Sequence, residues 1–262
     1  MSREQLTSNI TYYVRGDGSD ANDGLEDTAL GAFLTIQHAV DVAMTWDRNG
    51  YDITIQVRDG TFDECVSVKG PVVGIGKLSI LGNSTTPNNV LIDAPSGAGA
   101  IVVDNCDLYV KYMKIQAVNG APGDNYGAQA KNKAFLSLDK VSFGACLTAH
   151  VQASNYGRVS ISGNGYTISG SAWNHYWCVN HGTIENNGGT ITLSGTPAFY
   201  TAFINVTTLS SMTFWSTPTW SGSATGKRYD ANKNSVLNTN GQATTWLPGN
   251  SAGSTATGGQ YC

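Results

Sequence analysis

Charge is scarce in this chain: only 13% of its 262 residues are Asp, Glu, Lys or Arg, about half the usual share. No basic block is present and the net charge is -4, which argues against a nucleic-acid partner, because phosphate-backbone binding needs clustered Lys and Arg. Long apolar runs are missing too. No uninterrupted stretch reaches the ~18 residues of a membrane span, and residues 1–10 lack the apolar core of a secretion signal. The expectation is a protein made in a cytoplasm and not exported by the usual route. Cysteine is limited to Cys65, Cys106, Cys146, Cys178 and Cys262. The first four lie in or beside apolar strand-like runs and are expected to be reduced, buried thiols, with Cys262 exposed. No Gly-rich phosphate loop, Ser-His-Asp order or redox Cys pair stands out. Proline is rare at 7 residues and glycine plentiful at 31, the balance of an all-β chain with many tight turns.

What is present is a repeat. Asn155–Gly170 lies over Asn180–Gly195 at an offset of 25, with Asn155 on Asn180, Gly157 on Gly182, Val159 on Ile184 and Gly163 on Gly188. A looser third copy takes Asn205, Leu209, Met212 and Phe214. A fixed period in this range marks a repeat architecture, and alternating apolar and polar residues make the unit a strand. Parallel strands stacked coil on coil give a β-helix. The fold class read here is all-β: a right-handed, single-stranded parallel β-helix with an N-terminal α-helical cap and an irregular C-terminal extension.

Along the chain, residues 1–9 read as a mobile tail or a junction, and Ile10–Val14 as a strand. Asp17, Asp20 and Asp23 lie in a turn-rich loop as a possible calcium set, against the alternative that each bonds its own backbone. Arg15-Gly16-Asp17 has the form of an adhesion triplet. Phe33, Ile36, Val40 and Ala43 or Met44 keep helical spacing, so a helix over about 35–47 is expected to cover the first coil. Anchoring each coil on one inward residue gives Ile53, Leu78, Leu108, Leu136, Val159, Ile184 and Leu209, in steps of 25, 30, 28, 23, 25 and 25. Four residues before the later anchors stand Asp104, Asn132, Asn155, Asn180 and Asn205, an asparagine ladder in which amides bond at the ~4.8 Å strand spacing. The longest insertions fall at residues 82–89 and 119–131, and the loop from Gly120 is expected to project. The division is 1–50 for tail, strand and cap, 51–215 for the β-helix and 216–262 for an extension ordered by packing on the last coil or on a neighbouring subunit.

Three stretches carry a resemblance. Thr35-Ile-Gln-His-Ala-Val-Asp-Val-Ala resembles the cap helix of pectin-lyase-like right-handed parallel β-helices, and Ile55-Gln-Val-Arg-Asp-Gly-Thr-Phe-Asp-Glu64 with Leu78–Gly82 and Val90–Asp93 resembles their first two coils. The opening from Tyr12 to Gly24 and the end from Leu247 to Tyr261 are similar to phage and prophage tail proteins built on this helix. The resemblance implies a homotrimeric tail spike or tail fibre on a virion, joined to other tail or baseplate proteins and contacting surface polysaccharide of the host.

Chemistry is thin. Cleavage of a glycoside needs two carboxyls ~5–5.5 or ~6.5–9.5 Å apart, and beyond Asp107 the only acids are Asp124, Asp139, Glu185 and Asp230. Coil alignment puts Asp139 and Glu185 roughly 12 Å apart, and Lys111 opposite Asp139. Asp104 with Asp107 is the remaining pair. His150, His175, Cys178 and His181 have side chains directed differently on extended chain, so no metal and no cofactor is expected. Exposed rings stack on sugar faces, which makes Trp173, His175, Tyr176, Trp177, Trp215 and Trp220 the candidate glycan-binding residues, against the alternative of packing between subunits or beneath the C-terminal segment. The function read from the sequence is host attachment without catalysis; the alternative is a depolymerase, hydrolase or lyase, acting on capsule or lipopolysaccharide.

Overall fold

The computed structural model describes residues 3–95, 97, 99–118 and 125–262. The loop expected to project from Gly120, and Asp124 within it, lie outside the described residues. The chain is 48% strand and 4% helix, and its parallel sheets form a β-solenoid, consistent with a pectin-lyase-like β-helix.

Each coil runs over three faces. The first face stacks ten parallel strands, from Ile10–Val14 to Gln260–Tyr261. The second holds shorter strands such as Gly60–Phe62, Val90–Asp93 and Thr190–Leu193. The third runs from Val66–Lys69 to Ser254–Thr255 in a separate sheet. In two coils the first two faces merge into the long strands Asp107–Ala117 and Phe135–Cys146, bent at Tyr112 and Lys140, whose φ values are 62° and 51°. Period-2 alternation turns one set of side chains inward. Ile53, Leu78, Leu108, Leu136, Val159 and Ile184 are all fully buried in one column, and each such side chain contributes about 1.5–3 kcal/mol by leaving water.

Leu209 does not continue that column. Ile184 pairs with Met212, a step of 28, while Leu209 sits in a corner, 53% exposed with φ 58°. Two extra residues lie between Leu193 and Phe199, where the preceding coil goes from Ile168 to Ala172. One more lies in a bulge, where Tyr200 and Thr201 face Trp173 alone. All three precede Asn205, so Asn205 pairs with Trp177 and is not a rung of the ladder. The ladder itself holds: Asn132 Nδ2 donates to Asp104 at 2.8 Å, and Asn155 to Asn132 and Asn180 to Asn155 at 3.3 Å each. The next coil places Thr208 there, its carbonyl accepting from His181 N. We expect Asn155→Ala to cost about 1–2 kcal/mol, from two lost amide bonds and from Asn's tolerance of its left-handed backbone at φ 50°. Asn205→Ala is expected to stay within about 0.5 kcal/mol. Denaturant midpoints of the two variants check the assignment.

The cap helix spans Ile36–Ala43 and turns Ile36, Ala39, Val40 and Ala43 onto the core. It stops before Asp47 because that segment pairs with residues 4–6: Leu6 N donates to Asp47 O and Asp47 N to Glu4 O, both at 2.9 Å. Leu6 is buried, so residues 4–6 are docked and not a free tail. The helix start is held by carboxylates, as its exposed N–H groups require. Glu64 accepts from Ile36 N and Gln37 N at 2.8 Å each. Asp20 accepts from Leu34 N, Thr35 N and Thr35 Oγ1. Of its proposed calcium partners, Asp17 pairs with Arg15 at 2.8 Å and Asp23 accepts from Leu25 N at 3.0 Å. The three acids therefore serve three different local structures, and the Arg15-Gly16-Asp17 triplet is closed on itself.

Parallel pairing also runs past residue 215. Thr219–Gly222, Tyr229–Ala231 and Val236–Asn238 stack on the preceding coils, and Ser254–Thr255 and Gln260–Tyr261 stack on them. The C-terminal stretch is loop-rich between these short strands. It packs on the coils beneath through Leu237 and Leu247, both buried.

Candidate functional site

The corner that returns the third face to the first is built alike in successive coils. Two consecutive residues take left-handed backbone: Asn132-Lys133, Asn155-Tyr156, Asn180-His181, Thr208-Leu209 and Lys233-Asn234, with φ between 50° and 67°. In the three asparagine-led pairs the first side chain bonds its counterpart in the neighbouring coil, and Lys133, Tyr156 and Leu209 in second place are exposed. The Tyr156 ring, 60% exposed, stacks on His181 with centroids 4.6 Å apart and planes 14° from parallel. Beside it runs a groove of about 480 Å³ lined by Asp104, Asn105, Asn132, Lys133, Asn155 and Tyr156. Asp104 also faces Lys131 at 3.9 Å. One aromatic wall, a row of amides, an ammonium and a carboxylate suit a ligand that offers a C–H face and many hydroxyls.

The six aromatic and histidine candidates do not form one surface. Trp173 is 40% exposed, with the 72% exposed Tyr200 on the adjoining strand. Trp215, 61% exposed, follows a first-face strand. Trp177 is half-buried against Tyr126, 6.2 Å between centroids. Trp220 is half-buried between Phe203 and Trp246. His175 and Tyr176 are fully buried, so neither meets an external sugar. On this part of the third face three consecutive residues are buried in successive coils: Asn174, His175 and Tyr176, then Ala202, Phe203 and Ile204, and period-2 reading fails there.

His175 and Tyr176 belong to an internal hydrogen-bond chain whose direction one backbone group fixes. Gly188 N donates to Asn186 Oδ1 at 2.8 Å, so Asn186 Nδ2 is the atom facing Tyr176 Oη, at 2.9 Å. Tyr176 then donates to Tyr166, and Tyr166 to His175 Nε2 at 2.7 Å. His175 must carry its proton on Nδ1, which donates to His150 Nδ1 at 3.0 Å. That leaves the His150 proton on Nε2, which has no hydrogen-bond partner. Both rings are neutral, as burial demands: desolvation brings His150 down to about 3 and His175 well below the ordinary histidine value. Burial raises both tyrosine hydroxyls.

His150, His175, Cys178 and His181 do not converge: Cys178 faces the core and His181 lies on the outer corner. Burial pushes the Cys106 thiol up to about 11 and that of Cys146 to about 12. Asp139, Glu185 and Asp230 each have structural partners, while of the Asp104–Asp107 pair Asp104 accepts from Asn132 and Asp107 is exposed. Asp139 accepts from Ser162 Oγ at 2.6 Å and Asn164 Nδ2 at 2.9 Å, and faces Lys111 at 3.7 Å. Burial alone would raise its pKa, but these contacts together hold it below the usual range. Glu185 pairs with Arg158 at 2.7 Å, and Asp230 with Lys227 at 3.3 Å. Asp139 and Glu185 stand two coils and two residues apart, as the alignment predicted.

Sequence reasoning missed Tyr156 and its stack on His181. The signal was there: each directly follows a ladder asparagine, at the repeat offset of 25. No protein-family model, curated protein or solved structure matches this chain.

Proposed function

We propose that this chain is the β-helical part of a homotrimeric phage tail spike or tail fibre, made in the host cytoplasm and carried on the virion, which attaches to host surface polysaccharide without cleaving it. The observation that carries the binding role is the Tyr156 groove on the ladder corner, where ring, amides and charges meet on a rigid rod. The engagement of Asp104, Asp139, Glu185 and Asp230 in local structure favours binding over the depolymerase alternative, which needs a carboxyl free to exchange a proton. Tail assignment rests on the resemblance of the two chain ends, and threefold symmetry suits a tail axis.

The test joins mass and binding. The native particle is expected to have three times the chain mass, and Tyr156→Ala to weaken binding to host capsule or lipopolysaccharide at least 10-fold while leaving the circular dichroism unchanged. A monomer would remove the tail assignment. Undiminished binding by the variant would remove the groove. New reducing ends or unsaturated sugars after incubation would establish the depolymerase instead.

A further inference from the structure

The asparagine ladder leaves hydrogen-bonding capacity unused on an open surface. Asn132, Asn155 and Asn180 are all exposed. Each spends one amide proton on the rung before it: Asn132 Nδ2 on Asp104 Oδ1, Asn155 Nδ2 on Asn132 Oδ1 and Asn180 Nδ2 on Asn155 Oδ1. A side-chain amide has two N–H donors and an oxygen with two lone pairs. Among the described residues these three amides have no other side-chain partner. Every rung therefore keeps one N–H and at least one lone pair for a ligand. Because the amide is planar, the spare N–H cannot follow the used one along the stack, and it points across it.

The row from Asp104 to Asn180 makes three coil steps, about 14 Å along the rod at the ~4.8 Å strand spacing. It thus offers donor and acceptor together, repeated at short intervals. The group that matches a donor and an acceptor held on separate atoms is another amide, since a hydroxyl must donate and accept through one oxygen. Charge does not select the ligand. The groove wall holds one carboxylate, Asp104, and one ammonium, Lys133, and Lys131 stands 3.9 Å from Asp104. Opposite charges side by side give an ionic ligand no field of one sign. The exposed Tyr156 ring, backed by His181, requires a C–H face beside the amides.

We infer that the ladder groove takes a neutral polysaccharide built from N-acetylated amino sugars. The acetamido carbonyl accepts from a spare Nδ2–H, the acetamido N–H donates to Oδ1, and a pyranose face lies on Tyr156. This names the sugar class for the attachment reading and rests on that reading for the source of the polymer, but not for its chemistry. Units along one chain meet successive rungs, so affinity rises with chain length.

The test uses the full chain and two β-1,4-linked tetramers, one of N-acetylglucosamine and one of glucose, which differ only in the acetamido groups. Calorimetry and saturation-transfer NMR are expected to show the acetylated tetramer binding about 10-fold more tightly or better, the worth of two amide hydrogen bonds. Asn155→Gly removes one amide and keeps the left-handed backbone, which glycine adopts freely. It should weaken the acetylated tetramer about 10-fold and change the glucose tetramer by less than about 3-fold. Asn180→Gly, which forfeits one ladder bond instead of two, is the second variant and should act in the same direction. Tyr156→Ala should weaken both tetramers alike, because stacking does not depend on the acetamido group. Equal affinity for the two tetramers overturns the proposal, and so does absence of binding by the acetylated one. Asn155→Gly and Asn180→Gly variants that match the parent in circular dichroism and keep its preference overturn it as well. Failure of the attachment reading looks different: the acetylated tetramer is still preferred, but the particle does not bind host polysaccharide. Conversely, host polysaccharide bound through Tyr156 with no preference between tetramers removes this inference alone.

Discussion

Unfolding titrations are expected to show this protein losing stability steadily as pH falls from about 6.5 toward 3. The cause is the pair His150 and His175, fully buried and held neutral. A histidine whose folded pKa is depressed binds a proton on unfolding, so the unfolded state is favoured below its ordinary value of about 6.5. The stability the neutral ring contributes is complete above that value. For His150, with a folded value of about 3, the loss reaches about 4 kcal/mol at pH 3. That is comparable to the whole stability of many domains. Near pH 5 the two rings together give a slope of about 2.7 kcal/mol per pH unit. Asp20, Asp27 and Asp139, whose carboxyls are held below their ordinary range, lose their contribution only below about pH 4. The windows are therefore separable. His150→Leu removes the terminal ring, costs about 1–3 kcal/mol at pH 7 by leaving the His175 Nδ1 proton unpaired, and halves the slope near pH 5. Urea unfolding at half-unit intervals between pH 7 and 4 reads both quantities. An unchanged slope would mean that the rings are reached by water in the folded state.

The second large effect is expected at Gly189. Its φ is 85°, and a Cβ there would lie 2.4 Å from Gly163 O and 2.7 Å from Gly165 N. Backbone of the neighbouring coil cannot swing aside as a flexible side chain does. Gly189→Ala therefore combines left-handed strain of about 1–2 kcal/mol with a main-chain clash, for a total of about 3 kcal/mol or more. Gly195 separates the two contributions. Its φ is 74° with nothing within 4 Å of a built Cβ, so Gly195→Ala should cost only the strain. Thermal midpoints for the two variants should differ by several degrees, and equal midpoints would show that the coil relaxes around the clash. Gly189 also follows Gly188, whose N–H orients Asn186 at the start of the buried chain, so the larger effect should extend to the His titration.

Much of the fold was legible because a solenoid repeats its instructions. Ile53, Leu78, Leu108, Leu136, Val159 and Ile184 form one column because each coil must bury the same position. The reading failed at the next coil because periodicity fixes the interval only where no residue is inserted. The added residues between Leu193 and Phe199, with the Tyr200–Thr201 bulge, moved the register by three and took Asn205 and Leu209 out of place. The site was less legible. Trp173 and Trp215 are exposed as expected, but His175 and Tyr176 sit where consecutive residues are buried, and no pattern of alternation announces such a stretch. Tyr156 was overlooked because it stands alone in its coil, and only its neighbour one turn on, His181, makes a surface of it.

The ladder corner has one further property. From Ala130 to Phe135, Ala153 to Arg158, Cys178 to Thr183, Val206 to Ser211, Ala231 to Val236 and Thr255 to Gln260 it takes five residues to turn, whereas the coil before these, from Val103 to Asp107, takes four. The opposite corner, from second face to third, varies in length from coil to coil. From Ala130 onward, one edge of the prism thus behaves as a seam of constant gauge, and the other as a hem that can be let out. Foreign peptide grafted between Leu193 and Phe199 has room to loop away without disturbing the stack. The same graft at Asn155 or Asn180 would split the seam, which makes the two edges natural places to partition recognition from structural integrity in an engineered rod.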